Sequence, residues 1–463
     1  MLALPLLSIW LAGLGLVNTA LALSFPGPPY TTTEPVVRVL LGESSVQSFR
    51  SYKPEPIRLS GGPLWLPKRA WKIRALAVQN GIVLELEDAD GYLTRAHLNR
   101  SVALRLSCDN QQGIWLGKQL YRGEFYLQRS STGIQVVNHV PVEAYLASVV
   151  GGEMPLNWPL AALQAQAIAA RTYALYHRDT DASHYDVKAT IASQIYKGVK
   201  TEALSAQKAV ATTKSLVLVH SGRLINAVFH SSSGGRTEMS GQVWSRELPY
   251  LISVLDHDQH SPMHRWSALF SAERMQKLFR ETTELKSIEV LETSPSGRIR
   301  SVRVYGKYSS FILSGRKLRQ RLGLKSTLVS LNLLSNNPFS KWVKLSQHHR
   351  SVQPLTISQF GKVGMPSGQE EKRKNVRRRQ SWHIPASPPL PLSILRSPSL
   401  PTNDVHPALL ITGGGHGHGV GMSQWGAHGL AMRGANFRQI LHHYYRGVEI
   451  IPYQNSLDSS PAL

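Results

Sequence analysis

The sequence predicts an α+β fold, and three features of the text point to it. Short β-branched and aromatic runs fill the first third of the chain, one strongly periodic helix follows at Pro159, and a glycine-rich segment near the C-terminus leads into more helix and strand. The expected architecture is a β-rich N-terminal part, then a mixed core with one long helix after Glu153-Met154-Pro155. A C-terminal Gly-rich segment packs back on that core.

The elements follow in chain order. VVRVLLGE from Val36, GIVLELEDADGYL from Gly81 and YRGEFYLQR from Tyr121 read as strands separated by Gly, Asp and Ser turns. The texture changes at Val140. Pro159, preceded by Asn157 and Trp158, opens a helix whose Leu160, Leu163, Ala167, Ala170 and Ala174 keep one apolar face. A second helix, EALSAQKAVATTKSLVL from Glu202, runs into a strand that turns at His220-Ser221-Gly222 and returns as LINAVFHSSSGG. Residues 297 to 328 predict two strands and a basic helix. From Leu409, LLITGGGHGHGVGMSQWG is a glycine-rich turn leading to a helix and a last strand.

Composition bounds the function. The chain has 463 residues, 42% of them hydrophobic, with 36 Gly and 27 Pro, which excludes a wholly disordered chain and a repeat fibre. Its single cysteine, Cys108, excludes an intrachain disulfide framework and a cysteine-based zinc ribbon. Lysine and arginine number 52 against 29 acids, a net +23 that favours acidic partners. Residues 2 to 23 carry no charge and end near the small-x-small Ala20-Leu21-Ala22, the pattern of an export signal cut near Ala22. The stretch lacks a basic leader and is almost long enough to span a bilayer, so an uncleaved N-terminal anchor is the alternative. Either way the remainder is expected outside the cytoplasm. Residues 341 to 400 hold eleven Lys or Arg and two Glu before a Pro/Ser-rich run, too little apolar surface to order a core. After an export signal, Lys372-Arg373-Lys374 and Arg377-Arg378-Arg379 fit a solvated linker or an acidic wall polymer or membrane better than nucleic acid. The expected divisions are 1–22 signal or anchor, 24–135 β-rich region, 136–340 core, 341–405 basic insertion and 406–453 C-terminal segment.

Three stretches carry residues suited to chemistry. Gly151-Gly152-Glu153-Met154-Pro155 sets an acid beside two glycines and an apolar pair, just ahead of the Pro159 helix. Desolvation there raises a carboxyl pKa towards the range of a general acid, while a helix N-terminus favours the anion. Glu153 is open between capping and acid roles. The loop His230 to Glu238, HSSSGGRTE, lacks the spacing of a nucleophile elbow; Ser233, Gly234 and Gly235 suit sugar hydroxyls or a tight turn. In GGGHGHGVGMSQWG, His416 and His418 would share a side if extended, but with no neighbouring Asp, Glu or Cys they make an incomplete zinc site. The stretch is neither a phosphate loop nor a dinucleotide fingerprint. Trp425, beside Gln424, either stacks on a sugar ring or packs in a core.

Taken together, VPVEAYLASVVGGEMPLNWPLAALQAQAIAARTYAL, SQIYKG, AVFHSSSGGRTE, FSAE, the LSG-x-x-L-R segment, GHGVGMSQWGAHGLA and HHYYRGVEI resemble the SpoIID/LytB family. They run from about 121 to 451, in the family's order, interrupted by 341 to 400. The resemblance implies a secreted or membrane-anchored wall protein. Members similar to stage II sporulation protein D are lytic transglycosylases that cut peptidoglycan glycan strands between N-acetylmuramic acid and N-acetylglucosamine and leave a 1,6-anhydro end. The family's catalytic acid, in its E-M-P motif, falls on Glu153. Ser233, Gly234, Gly235, His416, His418, Gln424 and Trp425 would line the glycan groove, and Arg171 and Tyr173 would be core or cleft-floor residues. The LytB branch instead implies a non-catalytic modifier of a wall amidase. Some members hold zinc just before the Q-x-Y motif, but Lys188, Ala192 and Ser193 stand at those places here and His184 alone does not restore it. No metal and no cofactor are expected.

Overall fold

The structure is a computed structural model, and it describes residues 34–52, 55–99, 102–109, 112–178, 184–334 and 408–454. The expected export signal or anchor, residues 1–22, and the basic insertion, 341–405, lie outside the described residues. Eight α-helices are present among the described residues: α1 (Val142–Glu153), α2 (Leu160–Tyr176), α3 (Leu204–Ala211), α4 (Ser240–Val243), α5 (Ala272–Leu278), α6 (Gly315–Leu322), α7 (Gln424–Met432) and α8 (Phe437–Tyr444). No described helix is long and apolar enough to cross a membrane.

The mixed α+β architecture holds. Two sheets carry the N-terminal part. One has seven strands in the spatial order Val187–Lys188, Val36–Ser44, Ile134–Pro141, Glu124–Arg129, Leu104–Ser107, Ile57–Ser60 and Arg69–Ala70; the other has six, running from Gln119–Tyr121 to Leu93–Asn99. Alternating burial, as in Ile57–Ser60 of the first sheet and the start of Lys72–Val78 in the second, turns an apolar row of each sheet inward. Val37, Val39, Phe49, Phe125 and Ile134 on those rows join the same hydrophobic cluster as α1 and α2.

Helix α2 departs from the one-faced helix of the sequence pattern. Twelve of its side chains, from Ala162 to Leu175, are buried, because α1, α3, α7, α8 and the strand Leu216–His220 surround it. Six of the twelve are alanines, and small side chains let five neighbours approach one rod closely. Arg171 sits among them fully buried, with Glu143 accepting its Nε at 2.9 Å and its Nη2 at 2.6 Å and the Leu216 carbonyl accepting Nη1 at 3.1 Å. It is a core residue, not a cleft floor.

The C-terminal segment is stitched into that core by two strands. Glu449–Pro452 pairs antiparallel with Leu216–His220, and Met422–Ser423 pairs parallel with Phe229–His230. Where the sequence predicts a single helix here, there are two. Gly434, at φ 90°, breaks the run, and Asn436 starts α8 with a full capping box to Gln439.

A second hydrophobic cluster is built from residues 270–331 with Leu409 and Ile411. It holds the two strands and basic helix expected over 297–328, seen as Ile299–Gly306, Ser310–Ser314 and α6. In this cluster Val329–Leu334 pairs antiparallel with Ala408–Gly413, and Leu334 faces Ala408 directly. The chain therefore leaves for the basic insertion and returns from it at one paired position.

Candidate functional site

Glu153 is the last residue of α1, a helix over VEAYLASVV and the two glycines, for which the sequence pattern predicts no element. This reverses one term of the sequence argument. The nearest helix end is the C-terminus of α1, whose partial negative charge disfavours the anion, and α2 begins seven residues later. The two glycines before Glu153 have a defined task. A Cβ on Gly151 would lie 2.0 Å from the Thr201 carbonyl oxygen, and one on Gly152 would lie 2.6 Å from the Ile195 carbonyl oxygen. Ser148, one turn earlier on the same face, accepts from the Lys197 N–H at 3.2 Å, and its carbonyl accepts from the Thr201 hydroxyl at 2.9 Å. The segment 194–201 thus lies flat on a side-chain-poor face of α1.

That contact brings a backbone donor to the acid. The Ile195 N–H donates to Glu153 Oε1 at 2.7 Å, and the Gln424 amide, from the first residue of α7, donates to Oε2 at 3.0 Å. Burial pushes the Glu153 carboxyl above its usual range, and the donors at Ile195 and Gln424 and the charge of Lys197 offset it in part. Gln194 holds the segment in place. Its carbonyl accepts from the Tyr145 hydroxyl at 2.7 Å and its amide donates to the Ala170 carbonyl at 3.2 Å, while the Tyr196 hydroxyl donates to Asn138 at 2.8 Å. Reading the residues singly missed Tyr145, Gln194 and Ile195 as supports. The QIY run was legible only as part of a motif.

The other predicted residues fall into three groups. Gln424 and Trp425 join Glu153's surroundings. Trp425 packs edge-on against Trp158 at 4.7 Å between ring centroids, and His428 lies 4.6 Å from Trp158, giving a half-buried aromatic group five residues along the chain from the acid. Ser233 and Gly234 are buried in a polar network instead. Ser233 Oγ donates to Asp256 at 2.5 Å, the Gly234 N–H donates to Asp258 at 2.7 Å, and Arg298 donates to the Ser233 carbonyl at 2.7 Å. With its hydroxyl committed and no exposed surface, Ser233 is part of the wall behind the loop, not a groove lining. Gly235, at φ 112°, is half-buried beside it.

His416 and His418 do not share one side of an extended run, because Gly415, Gly417, Gly419 and Gly421 all take positive φ and the loop coils. His416 is exposed, its backbone bridged to Ser232. His418 packs between Trp244 and His230, and burial with the nearby Arg298 charge lowers its pKa to about 4, so it is neutral at physiological pH. At the positions ahead of the Q-x-Y motif, the Lys188 N–H donates to the Ser193 hydroxyl at 3.2 Å.

The fold and the site therefore define an α+β protein with one half-buried, doubly hydrogen-bonded carboxyl at the seam between α1 and the returning C-terminal segment. Residues 130–220, which contain that carboxyl and its Ile195 donor, match the SpoIID family model, described as stage II sporulation protein. The chain is 30% identical over 311 residues to the amidase enhancer of Bacillus subtilis, covering 66% of this chain and 40% of that protein. It is 27% identical over 333 residues to stage II sporulation protein D of Bacillus amyloliquefaciens, covering 68% and 75%, and 27% identical over 348 residues to an uncharacterised protein of Brachyspira hyodysenteriae, covering 74% and 76%. The family model over residues 130–220 and the relatives named stage II sporulation protein D and amidase enhancer together support the SpoIID family for this chain.

Proposed function

We propose that the protein acts outside the cytoplasm at the cell wall, as a peptidoglycan lytic transglycosylase with Glu153 as its single acid and base. The wall role is supported by the family and by the relative named amidase enhancer. The finer activity is supported by one observation: a half-buried carboxyl, held by two N–H donors, whose pKa burial raises. Glu143, on the same helix, is about 15 Å away by helical rise and committed to Arg171. Ordinary glycoside hydrolysis needs a carboxylate pair about 5–9.5 Å apart. One carboxyl suffices for intramolecular closure. Glu153 gives its proton to the glycosidic oxygen as the bond from that oxygen to the anomeric carbon breaks and the electron pair stays on oxygen. The carboxylate then takes the proton of the sugar's 6-hydroxyl as O6 bonds the anomeric carbon, which regenerates the acid and consumes no water. Trp425 with Trp158 would face the glycan, and no metal or cofactor enters.

The test is mass spectrometry of the glycan released from purified wall, intact and peptide-stripped, by the full chain and by Glu153→Gln. Anhydro-ended fragments are expected from the parent and, at 10²- to 10⁴-fold lower rate, from the variant. Reducing ends would mean an activated water and a hydrolase. The second reading, a non-catalytic glycan binder that stimulates a wall amidase, is favoured by the likeness to the amidase enhancer. It predicts retained wall binding, no cleavage, and faster release of stem peptides when an amidase is added.

A further inference from the structure

Glu153's two oxygens are held by donors of different kinds. Oε1 takes the Ile195 N–H from a segment pinned to α1 by Ser148, Gly151 and Gly152. Oε2 takes a side-chain amide that arrives from 271 residues further along the chain. Gln424 is almost fully buried, and its bond to Glu153 is the one side-chain hydrogen bond it makes among the described residues. Its position is set independently of Glu153. Ser423 caps α7 by accepting from the Gly426 N–H at 3.1 Å, Met422–Ser423 pairs with Phe229–His230, and the Trp425 N–H donates to the Ser231 carbonyl at 3.0 Å. Gly426 is required there, since a Cβ would lie 1.8 Å from Asp256 Oδ1.

We propose that Gln424 is a positioning residue which, together with the Ile195 N–H, forms a two-donor cradle for the negative charge that appears on Glu153 as it releases its proton. The inference rests on the reading of Glu153 as the acid, but the cradle itself can be tested without turnover. A hydrogen bond to a carboxylate is stronger than one to the neutral acid, so the Gln424 contact strengthens as the proton moves to the glycosidic oxygen. It relaxes again when the 6-hydroxyl proton returns. The titratable groups that act on Glu153 or are acted on by it are Lys197, beside Ile195, and Tyr145 on α1. Neither is hydrogen-bonded to its carboxyl, so the two donors hold the developing charge at close range.

The experiment compares the full chain with Gln424→Met, which keeps length and removes the donor, and Gln424→Glu, which keeps shape and replaces the donor with an acid. Carbon-13 NMR of the Glu153 carboxyl, assigned by its loss in Glu153→Gln, follows its titration in each. In Gln424→Met the midpoint is expected to rise by about one to two pH units, the size of a lost hydrogen bond to a charged group. It is expected to rise further in Gln424→Glu. With wall glycan, kcat of Gln424→Met should fall about 10- to 100-fold with KM little changed, and the alkaline limb of its pH profile should move up with the carboxyl midpoint. A midpoint unchanged in both folded variants, checked by thermal melting, overturns the cradle. An inactive parent whose Glu153 midpoint still shifts in the variants overturns the transglycosylase reading and leaves the cradle standing.

Discussion

At Glu153 a helix C-terminus, a buried site and two N–H donors meet, and their signs differ. Burial wins, because the net direction is upward. For a carboxyl whose folded pKa lies above its unfolded value, the folded state binds more protons between the two values, so stability falls as pH rises through that window. Glu153→Gln removes the cost of ionising a buried group. It should therefore melt at a higher temperature than the parent above the folded pKa and match it below the unfolded pKa near 4.5, as thermal denaturation at pH 8 and pH 4 would measure. A melting gain that is equal at both pH values would contradict an ionised Glu153. The glycines beside it make the opposite kind of prediction. Gly151→Ala drives a methyl against the Thr201 carbonyl and should cost about 1–3 kcal/mol in urea unfolding, with loss of the Ile195 donor and of activity. Nothing in the run GGEMP taken singly says that these glycines make room for the backbone of segment 194–201. The acid was legible, and Gln424 and Trp425 were so through the family resemblance; the supports Tyr145, Gln194 and Ile195 were not.

Between elements, the α1–α2 contact depends on the Glu143–Arg171 pair, which is almost dry: Arg171's side chain is 1% exposed and Glu143's 16%. Glu143 also accepts from the Ser215 N–H at 3.2 Å, tying the start of the strand Leu216–His220 to both helices. Breaking it by Arg171→Leu leaves a carboxylate in poor surroundings and should destabilise by about 3–5 kcal/mol in urea unfolding. A loss under 1 kcal/mol would show that water reaches Glu143. The paired exit and return at Leu334 and Ala408 makes a second prediction. Replacing residues 335–407 by Asn-Gly should keep the antiparallel register, leave the melting temperature within a few degrees and preserve glycan cleavage, because a two-residue turn matches that geometry. Collapse of the fold would show that the segment contributes to the second hydrophobic cluster.

For the molecule as a whole, the proposed wall contact and the net charge can be tested apart. The net charge of +23 acts over about one Debye length, roughly 8 Å at physiological salt, and binding through it weakens with ionic strength. Binding of the 335–407 replacement to purified wall should be less salt-sensitive than that of the full chain and of similar strength at high salt. Loss of all binding would place recognition in the basic insertion.

Sequence alone determined the fold class, the strands of the first third, the existence of α2, the basic helix of 297–328 and the candidate acid. All of these depend on local period, turn chemistry or a contiguous motif. Only the tertiary structure decided which residues keep company with Glu153. It assigned α1 where the sequence pattern predicts no element, with Tyr145, Leu146 and Val149 buried against neighbours that no local pattern reveals. It buried Ser233 behind Asp256, coiled the His416–His418 loop through four positive-φ glycines, and carried Gln424 to a carboxyl 271 residues earlier. Propensity and periodicity are short-range, whereas desolvation and hydrogen bonding at a seam depend on what the folded chain brings to the other side.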